Sequence, residues 1–277
     1  MKTALVCILL LSSPSLLSAA IQYEFRQSTR NDHGGQNVGD VAGRAVLDGD
    51  RSRVEYTRNP VYGEGTYVLS FLNPRSIFII NPKTKTYYDV PLSTVANSLA
   101  SARIEVANLK TGTKKMDDHP LIAGVATDHY RFDASYEMTV MFGSIPLKQG
   151  VATSVDSWTT SAFGAVPAPV FSSAEFTTGN PELDKLIAAE TSKVTGLALR
   201  QVVSITTSPR KAPGARRDVK LNISKRQTSE ILVTAVRNVQ VDSTFFQIPE
   251  GFTKSVPKRE GMDGQPLEQS SATPGRK

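Results

Sequence analysis

The stretch Val41 to Thr57, VAGRAVLDGDRSRVEYT, decides how this chain reads. Two extended runs, around Val41–Leu47 and Arg53–Thr57, flank Asp48-Gly49-Asp50, and Asp-Gly between two such runs is a strong hairpin signal. The same grammar recurs outward from there. Tyr67-Leu69-Phe71 alternates with Thr66, Val68 and Ser70, and Asn81-Pro82-Lys83-Thr84 joins Ser76–Ile80 to Thr86–Val90. Tyr136-Met138-Val140-Phe142 alternates with Glu137, Thr139 and Met141, and Val219-Leu221-Ile223 with charged and polar neighbours. Such period-two patterns mark strands with one wet face. Ala212-Pro213-Gly214-Ala215 is read as the turn between Leu197–Thr206 and Arg217–Ser224, and the β-branched run Ile231–Val241 as a more buried strand. Antiparallel strands in sequence order form a meander, and one this long is expected to curl or close.

Two segments follow a helical period instead. Leu92, Val95, Ala96 and Leu99 recur after Pro91, and Asn180-Pro181-Glu182 reads as an N-cap, a first-turn Pro and an acidic first turn before Leu183, Leu186 and Ile187. Both helices are short and amphipathic, so each is expected to lie on the sheet. The fold class that follows is β-rich α+β: a strongly curved antiparallel sheet forming an incomplete barrel, with short helices covering its open side. Ser161–Ser173, with Pro167 and Pro169, reads as a loop between two halves of one domain.

Composition sets the bounds. The 277 residues are 39% hydrophobic and 21% charged, with a formal net charge of +6 from 32 Lys and Arg against 26 Asp and Glu. That is enough apolar residue for a real core and argues against global disorder. Residues 1–20 read as a secretory signal: Lys2 is the charged start, Ala4–Leu11 the apolar run, and Ser18-Ala19-Ala20 a small-residue cleavage site. The apolar run falls short of the roughly 20 residues a membrane-spanning helix needs. Residues 21–257 then form one domain, and 258–277, polar and non-periodic, a disordered tail. The one cysteine, Cys7, lies in the signal, so the mature chain has no thiol for disulfides, nucleophilic attack or metal ligation, and no lipobox cysteine. The expected location is periplasmic or secreted. Basic residues are scattered, apart from short clusters at Arg210-Lys211, Arg216-Arg217 and Lys225-Arg226. No concentrated stripe with interleaved aromatics is present, so nucleic acid is not an expected partner.

No chemistry-bearing motif stands out. There is no G-x-S-x-G elbow, and Gly34-Gly35 lacks the spacing of a phosphate loop. His33 sits before those glycines and His129 between Asp128 and Tyr130 in an alternating strand, where catalysis needs an acidic or nucleophilic partner from elsewhere. Asp117-Asp118-His119 carries metal-ligand chemistry, but three adjacent residues cannot all face one ion in an extended chain, so it reads as a solvated turn. Asn222-Ile223-Ser224 matches a glycosylation sequon mid-strand. No catalytic residue, metal site or cofactor is expected. What remains is apolar sheet: Phe71, Leu72, Ile77, Phe78, Ile79 and Ile80 crowd together. They read either as a filled core or as the wall of a hydrophobic cavity.

Four segments in order resemble one family: Arg44–Glu55, a strand, Asp-Gly and an Arg-rich strand; Ser76–Tyr88, the hairpin after it; Ile122–Tyr130, a Gly-centred strand entry; and Phe245–Phe252, closing on Phe-x-x-Pro-x-Gly-aromatic. They are similar to exported bacterial proteins of unknown function related to the lipoprotein-sorting carriers LolA and LolB. The resemblance spans about Tyr23 to Val256 and implies a curved, incomplete barrel with helices plugging a hydrophobic cavity, which in the carriers shields acyl chains. The segment Ser161–Ser173 and the basic loop Arg210–Arg217 depart from that pattern. The expected function is a non-enzymatic envelope binding protein, monomeric, holding a lipid or lipoprotein acyl chain. Its expected ligand-binding residues are Leu69, Phe71, Phe78, Met138, Val140 and Phe142 on the sheet, and Leu92, Val95, Leu99, Leu183, Leu186 and Ile187 on the helices. The alternative is a structural module with a filled core that binds another envelope protein.

Overall fold

The structure, a computed structural model, describes residues 20–32, 39–90, 104–142, 145–164, 181–191, 195–210 and 225–255. A first meander runs through β1 (Ala20–Asn31), β2 (Val41–Asp48), β3 (Arg51–Arg58), β4 (Tyr67–Leu72), β5 (Arg75–Asn81) and β6 (Thr86–Asp89). A second runs through β7 (Ile104–Lys115), β10 (Asp128–Phe142), β11 (Ile145–Thr160), β12 (Leu197–Pro209) and β13 (Lys225–Val239). The small hairpin β8 (Leu121–Ile122) and β9 (Val125–Ala126) leads into β10. The β2–β3 turn places Gly49 at φ 57°, the left-handed region that its Asp-Gly sequence favours. Antiparallel pairing of β1 with β13 fuses the two meanders into one sheet of twelve strands, ordered β14-β6-β5-β4-β3-β2-β1-β13-β12-β11-β10-β7, where β14 (Thr253–Lys254) joins β6 in parallel.

The register carries two distinct faces across this sheet. One face holds Val68, Ile77 and Ile79, continues through Ile21 paired with Leu47, crosses β13 at Val233, and reaches Phe132, Ala134 and Val155. The opposite face holds Arg53 opposite Leu69, Leu69 opposite Phe78, and, farther across the sheet in another row, Arg200 opposite Trp158 and Trp158 opposite His129. Each face has its own cover. On the Val68 face, Leu186 and Ala189 of α1 (Pro181–Thr191) pack on Phe132, Ala134 and Val155, while Ile122 of the small hairpin packs with Ile21, Leu47, Leu199 and Val233. On the Arg53 face, the C-terminal segment folds back over the first meander. The one-turn 3-10 helix Ser243–Phe246 buries Phe246 against Ala20 and Val46, and Ile248 and Phe252 cover Tyr67, Leu69 and Ile80. Arg53 pins this cover by donating to the Phe245 carbonyl at 3.0 Å, its guanidinium 4.5 Å from the Phe245 ring and 3.9 Å from that of Tyr67.

This corrects the expected α+β class. Among the described residues the chain is nearly all sheet, with α1 and the single 3-10 turn as its helices, and α1 lies over one patch of one face. The segment expected to form the Leu92 helix lies outside the described residues, as do the Arg217–Ser224 strand with its preceding turn, the sequon at Asn222, His33 and Gly34-Gly35. The expected incomplete barrel is also absent: the sheet is open, its ends formed by β7 and β14. Closure is one way to bury a sheet's apolar surface; here the two covers do it on opposite faces, so the edges need not meet. The β7 edge carries Lys110, Lys114 and Lys115, charges that discourage further strand pairing. Finally, β13 is less buried than Ile231–Val241 suggests: Val233 is buried, but Ile231 is 36% exposed. A bulge where Phe25 pairs with Val233 resets the alternation there.

Candidate functional site

The expected ligand-binding residues fall into separate places. Leu69, Phe71 and Phe78 do come together, on the Arg53 face under Ile248 and Phe252, with Leu69 fully buried. Leu186 packs on the other face with Phe132, Ala134 and Val155. Met138 and Val140 share that face farther along β10, half-buried, with Val140 opposite Leu147 and Ile104. The structure thus brings Leu186, Met138 and Val140 to one face and puts Leu69, Phe71 and Phe78 on the other. Phe142 is in β10 and Leu183 and Ile187 are in α1, but their side chains, like Leu92, Val95 and Leu99 altogether, lie outside the described residues.

The densest polar constellation was not anticipated. His129 is 6% exposed, and its Nδ1 lies 2.6 Å from Asp118 Oδ1 and its Nε2 2.8 Å from Asp156 Oδ1. Carboxylates only accept, so a doubly protonated ring makes both bonds and a neutral ring only one. Arg131 binds Asp156 with both arms, Nε to Oδ1 and an η-nitrogen to Oδ2, each at 2.9 Å. The Trp158 indole stacks on His129 at 4.2 Å between centroids and 17° between planes, and donates to Asp118 Oδ2 at 3.3 Å. From the next strand, Arg200 lies 4.6 Å from the Trp158 centroid and donates to Glu230 at 2.8 Å. Burial disfavours the charge of Asp156, but the bonds from Arg131 and His129 outweigh it and hold the carboxyl below the usual carboxylate range. The bond from His129 chiefly lowers Asp118 as well.

Neighbouring strands supply His129, Asp156 and Arg131 by register alone, because β10 and β11 pair His129 with Trp158 and Arg131 with Asp156. Asp118 arrives from the turn before the small hairpin, 11 residues before His129. The Asp117-Asp118-His119 triplet therefore splits, with His119 bonded instead to Asp128 at 3.1 Å. Both ring nitrogens of His129 are engaged by carboxylates, so the arrangement ties the hairpin turn to the sheet like a clasp. Nothing in the sequence marks it: Asp156 lies 27 residues from His129, and only strand register joins them.

Three hollows lie on the Arg53 face. The largest, about 1010 Å³, runs along β1, β2, β3 and β13 and is charged, lined by Glu24, Arg26, Asp40, Arg44, Glu55 and Arg58 among others. Gly43 lies in its floor, where a Cβ would stand 2.3 Å from the Glu55 carbonyl oxygen. Two smaller, adjoining hollows of about 470 and 300 Å³ lie across β7, β10, β11 and β12. Among the described residues no three His, Cys, Asp or Glu side chains gather as a metal site, and no helix is long and apolar enough to cross a membrane.

No protein-family model matches this chain, and no curated protein matches it. Solved structures offer distant likenesses. A LolA superfamily protein from Nitrosomonas europaea, NE2245, is 12% identical over 83% of this chain and 90% of that one, with a TM-score of 0.31. PNGF-II is 10% identical over 84% of this chain, which spans 31% of that protein's length, with a TM-score of 0.33. At TM-scores this low, neither likeness assigns a fold or a function to the chain.

Proposed function

We propose that this is an exported, non-enzymatic binding protein that holds the acyl chain of a lipid or lipoprotein against the Val68 face of its sheet. The observation that supports this reading is how dry yet incompletely covered that face is. The phenols of Tyr23, Tyr56, Tyr88 and Tyr136 all project from it, and burial is the first cause that pushes each of them up, Tyr23 to about 12. Beyond α1 and the small hairpin, however, Ile205 remains 37%, Ile231 36% and Leu147 46% exposed on the same face, beside half-buried Met138 and Val140. Covering that surface with hydrocarbon is worth roughly 25 cal/mol for each Å² removed from water. The signal-like first twenty residues support export, and the occupied nitrogens of His129 speak for binding rather than catalysis.

Native mass spectrometry of protein purified from the envelope, with titration of a fluorescent fatty acid, tests this. Bound acyl species and saturable uptake are expected, and the pair Ile205→Glu and Ile231→Glu should abolish uptake. A clean apo mass together with no uptake would sink the proposal. One observation favours a second reading, an envelope interaction module without a ligand: the largest of the three hollows is rich in charge, with Glu24, Arg26, Asp40, Arg44, Glu55 and Arg58 in its lining. In that case uptake is absent, and cross-linking in cells captures a protein through Arg26 or Arg58.

A further inference from the structure

The two adjoining hollows on the Arg53 face do not belong to the acyl reading, which concerns the opposite face. Their floor is made of short side chains, with Ser135, Ala152 and Thr206 common to both. One hollow is walled by Arg226 and the other by Arg210, and Lys110 belongs to both. Among the described residues none of these three cations forms an ion pair. The acids at the rim are Asp133 and Glu137, and Lys148 already neutralises Glu137 at 2.8 Å. Arg226 pairs with Thr206, and Arg210 follows four residues farther along the chain, so the two arginines are spaced about 13 Å apart at the backbone. The Arg210 guanidinium is seated over Gly150, whose missing Cβ would stand 3.0 Å from Nε.

We propose that this double hollow binds a ligand carrying at least two phosphate-type groups, one at Arg226 and one at Arg210, with Lys110 shared between them. Arginine presents a planar fork that matches the oxygens of a phosphate, and the hydroxyls of Ser135, Ser154, Ser204 and Thr206 add donors from the floor. Among the described residues, Asp133 and Glu137 face Lys110, Arg210, Arg226 and the Lys148 that pairs with Glu137, so the hollow is left positive, which favours an anion over a neutral or cationic guest. The two phosphates can come from a soluble polyphosphate or from a phosphorylated lipid headgroup, and the test separates these sources.

Calorimetric titration of the full chain with inorganic tripolyphosphate at low salt, beside inorganic phosphate and vesicles of cardiolipin, a lipid with two phosphates in its headgroup, reads the site. One saturable tripolyphosphate site is expected, tighter than inorganic phosphate and weakened by added salt. Arg226→Gln and Arg210→Gln should each weaken it about tenfold, the loss of one charge-assisted contact. Gly150→Ala should do the same by displacing Arg210, while Arg237→Gln, an exposed cation elsewhere on β13, should leave it unchanged. Vesicle binding that tripolyphosphate competes away supports the site and assigns its phosphates to a lipid headgroup. Absence of tripolyphosphate binding, equal loss in Arg237→Gln, or vesicle binding indifferent to Arg226→Gln would overturn it. Fatty-acid uptake through the other face is untouched by any of these results.

Discussion

Replacing His129 with phenylalanine tests whether the carboxylate clasp holds the fold together. The ring, only 6% exposed, keeps a planar partner for Trp158, so packing is largely conserved and what is lost is the ring's bonding to the carboxylates of Asp118 and Asp156. At Asp156 one hydrogen bond to a carboxylate disappears, worth about 1.5–3 kcal/mol for a bond to a charged group. The bidentate grip of Arg131 stays in place and limits the damage, so about 2 kcal/mol is expected. The second bond, to the exposed carboxyl of Asp118, is screened by water and adds little. For a folded unit of this size, that loss lowers the melting temperature by about 4–8 °C. Trp158 is the only tryptophan and rests on the substituted ring, so urea unfolding followed by its fluorescence reports on the site directly. A double-mutant cycle with Asp156→Asn isolates the pairing, and about 1–3 kcal/mol of coupling is expected between partners in contact. A loss below about 0.5 kcal/mol, or the same loss with and without the Asp156 carboxylate, would refute the clasp.

Three further outcomes follow from the same geometry. Asp156 has its folded-state carboxyl lowered, so its contribution to stability is present above the ordinary value near 3.8 and is lost as pH falls through the lower folded value; Asp156→Asn should flatten the stability decline below about pH 4, measured by urea titration across that range. Gly43→Ala places a Cβ 2.3 Å from the Glu55 carbonyl oxygen and 3.1 Å from the Phe25 ring, and should cost about 3 kcal/mol by forcing β2 from β3; an unchanged denaturation midpoint would contradict the close approach. Phe246→Ala empties a side chain only 2% exposed and should cost about 3–5 kcal/mol while opening residues 240–255 to limited proteolysis, whereas an unchanged cleavage pattern would mean the C-terminal cover is held otherwise.

In the first meander β2 to β6 were legible because they obey simple rules, and Asp48-Gly49 turns where glycine is needed. The alternation of Tyr67-Leu69-Phe71 suggested a wet face for Val68 and Ser70, yet both are buried, because this strand is covered on both sides. The second meander was half legible. β11 carries Gly150, Ala152, Ser154 and Asp156 on one face and Val151, Val155 and Ser157 on the other, so small and polar residues blur the alternation that marks a strand. β7, with three lysines and Gly112, hides in the same way. The pairing of β1 with β13 spans some 200 residues, and no local pattern encodes it. The clasp was illegible for the same reason: Asp118, His129 and Asp156 are unremarkable residues until register aligns them. The apolar residues were identified as sheet, but a period of two says only that neighbours face opposite ways, not which face meets α1. That is why Leu69 and Leu186, grouped by composition, end up on opposite faces.

Two-sidedness also separates the two proposed sites, one on each face of the sheet. A barrel commits one face to its interior and the other to solvent, so an apolar guest and an anionic guest would compete for the same lumen or surface. In this open sheet the Val68 face is dry where α1 and the small hairpin lie, and the Arg53 face is dry only where the C-terminal segment covers it. Past β1 the Arg53 face turns polar, with Arg200, Trp158, His129 and Arg131 and then the cations Arg226, Lys110 and Arg210. The strands that carry exposed Ile205 on one side therefore carry Ser204 and Thr206 on the other, one backbone thickness away. A mutation that widens the exposed apolar surface at Ile205 leaves the charged hollow intact, and loss of Arg226 leaves the apolar face dry. Each face can thus be removed without the other, and that independence is physically available only because the sheet does not close.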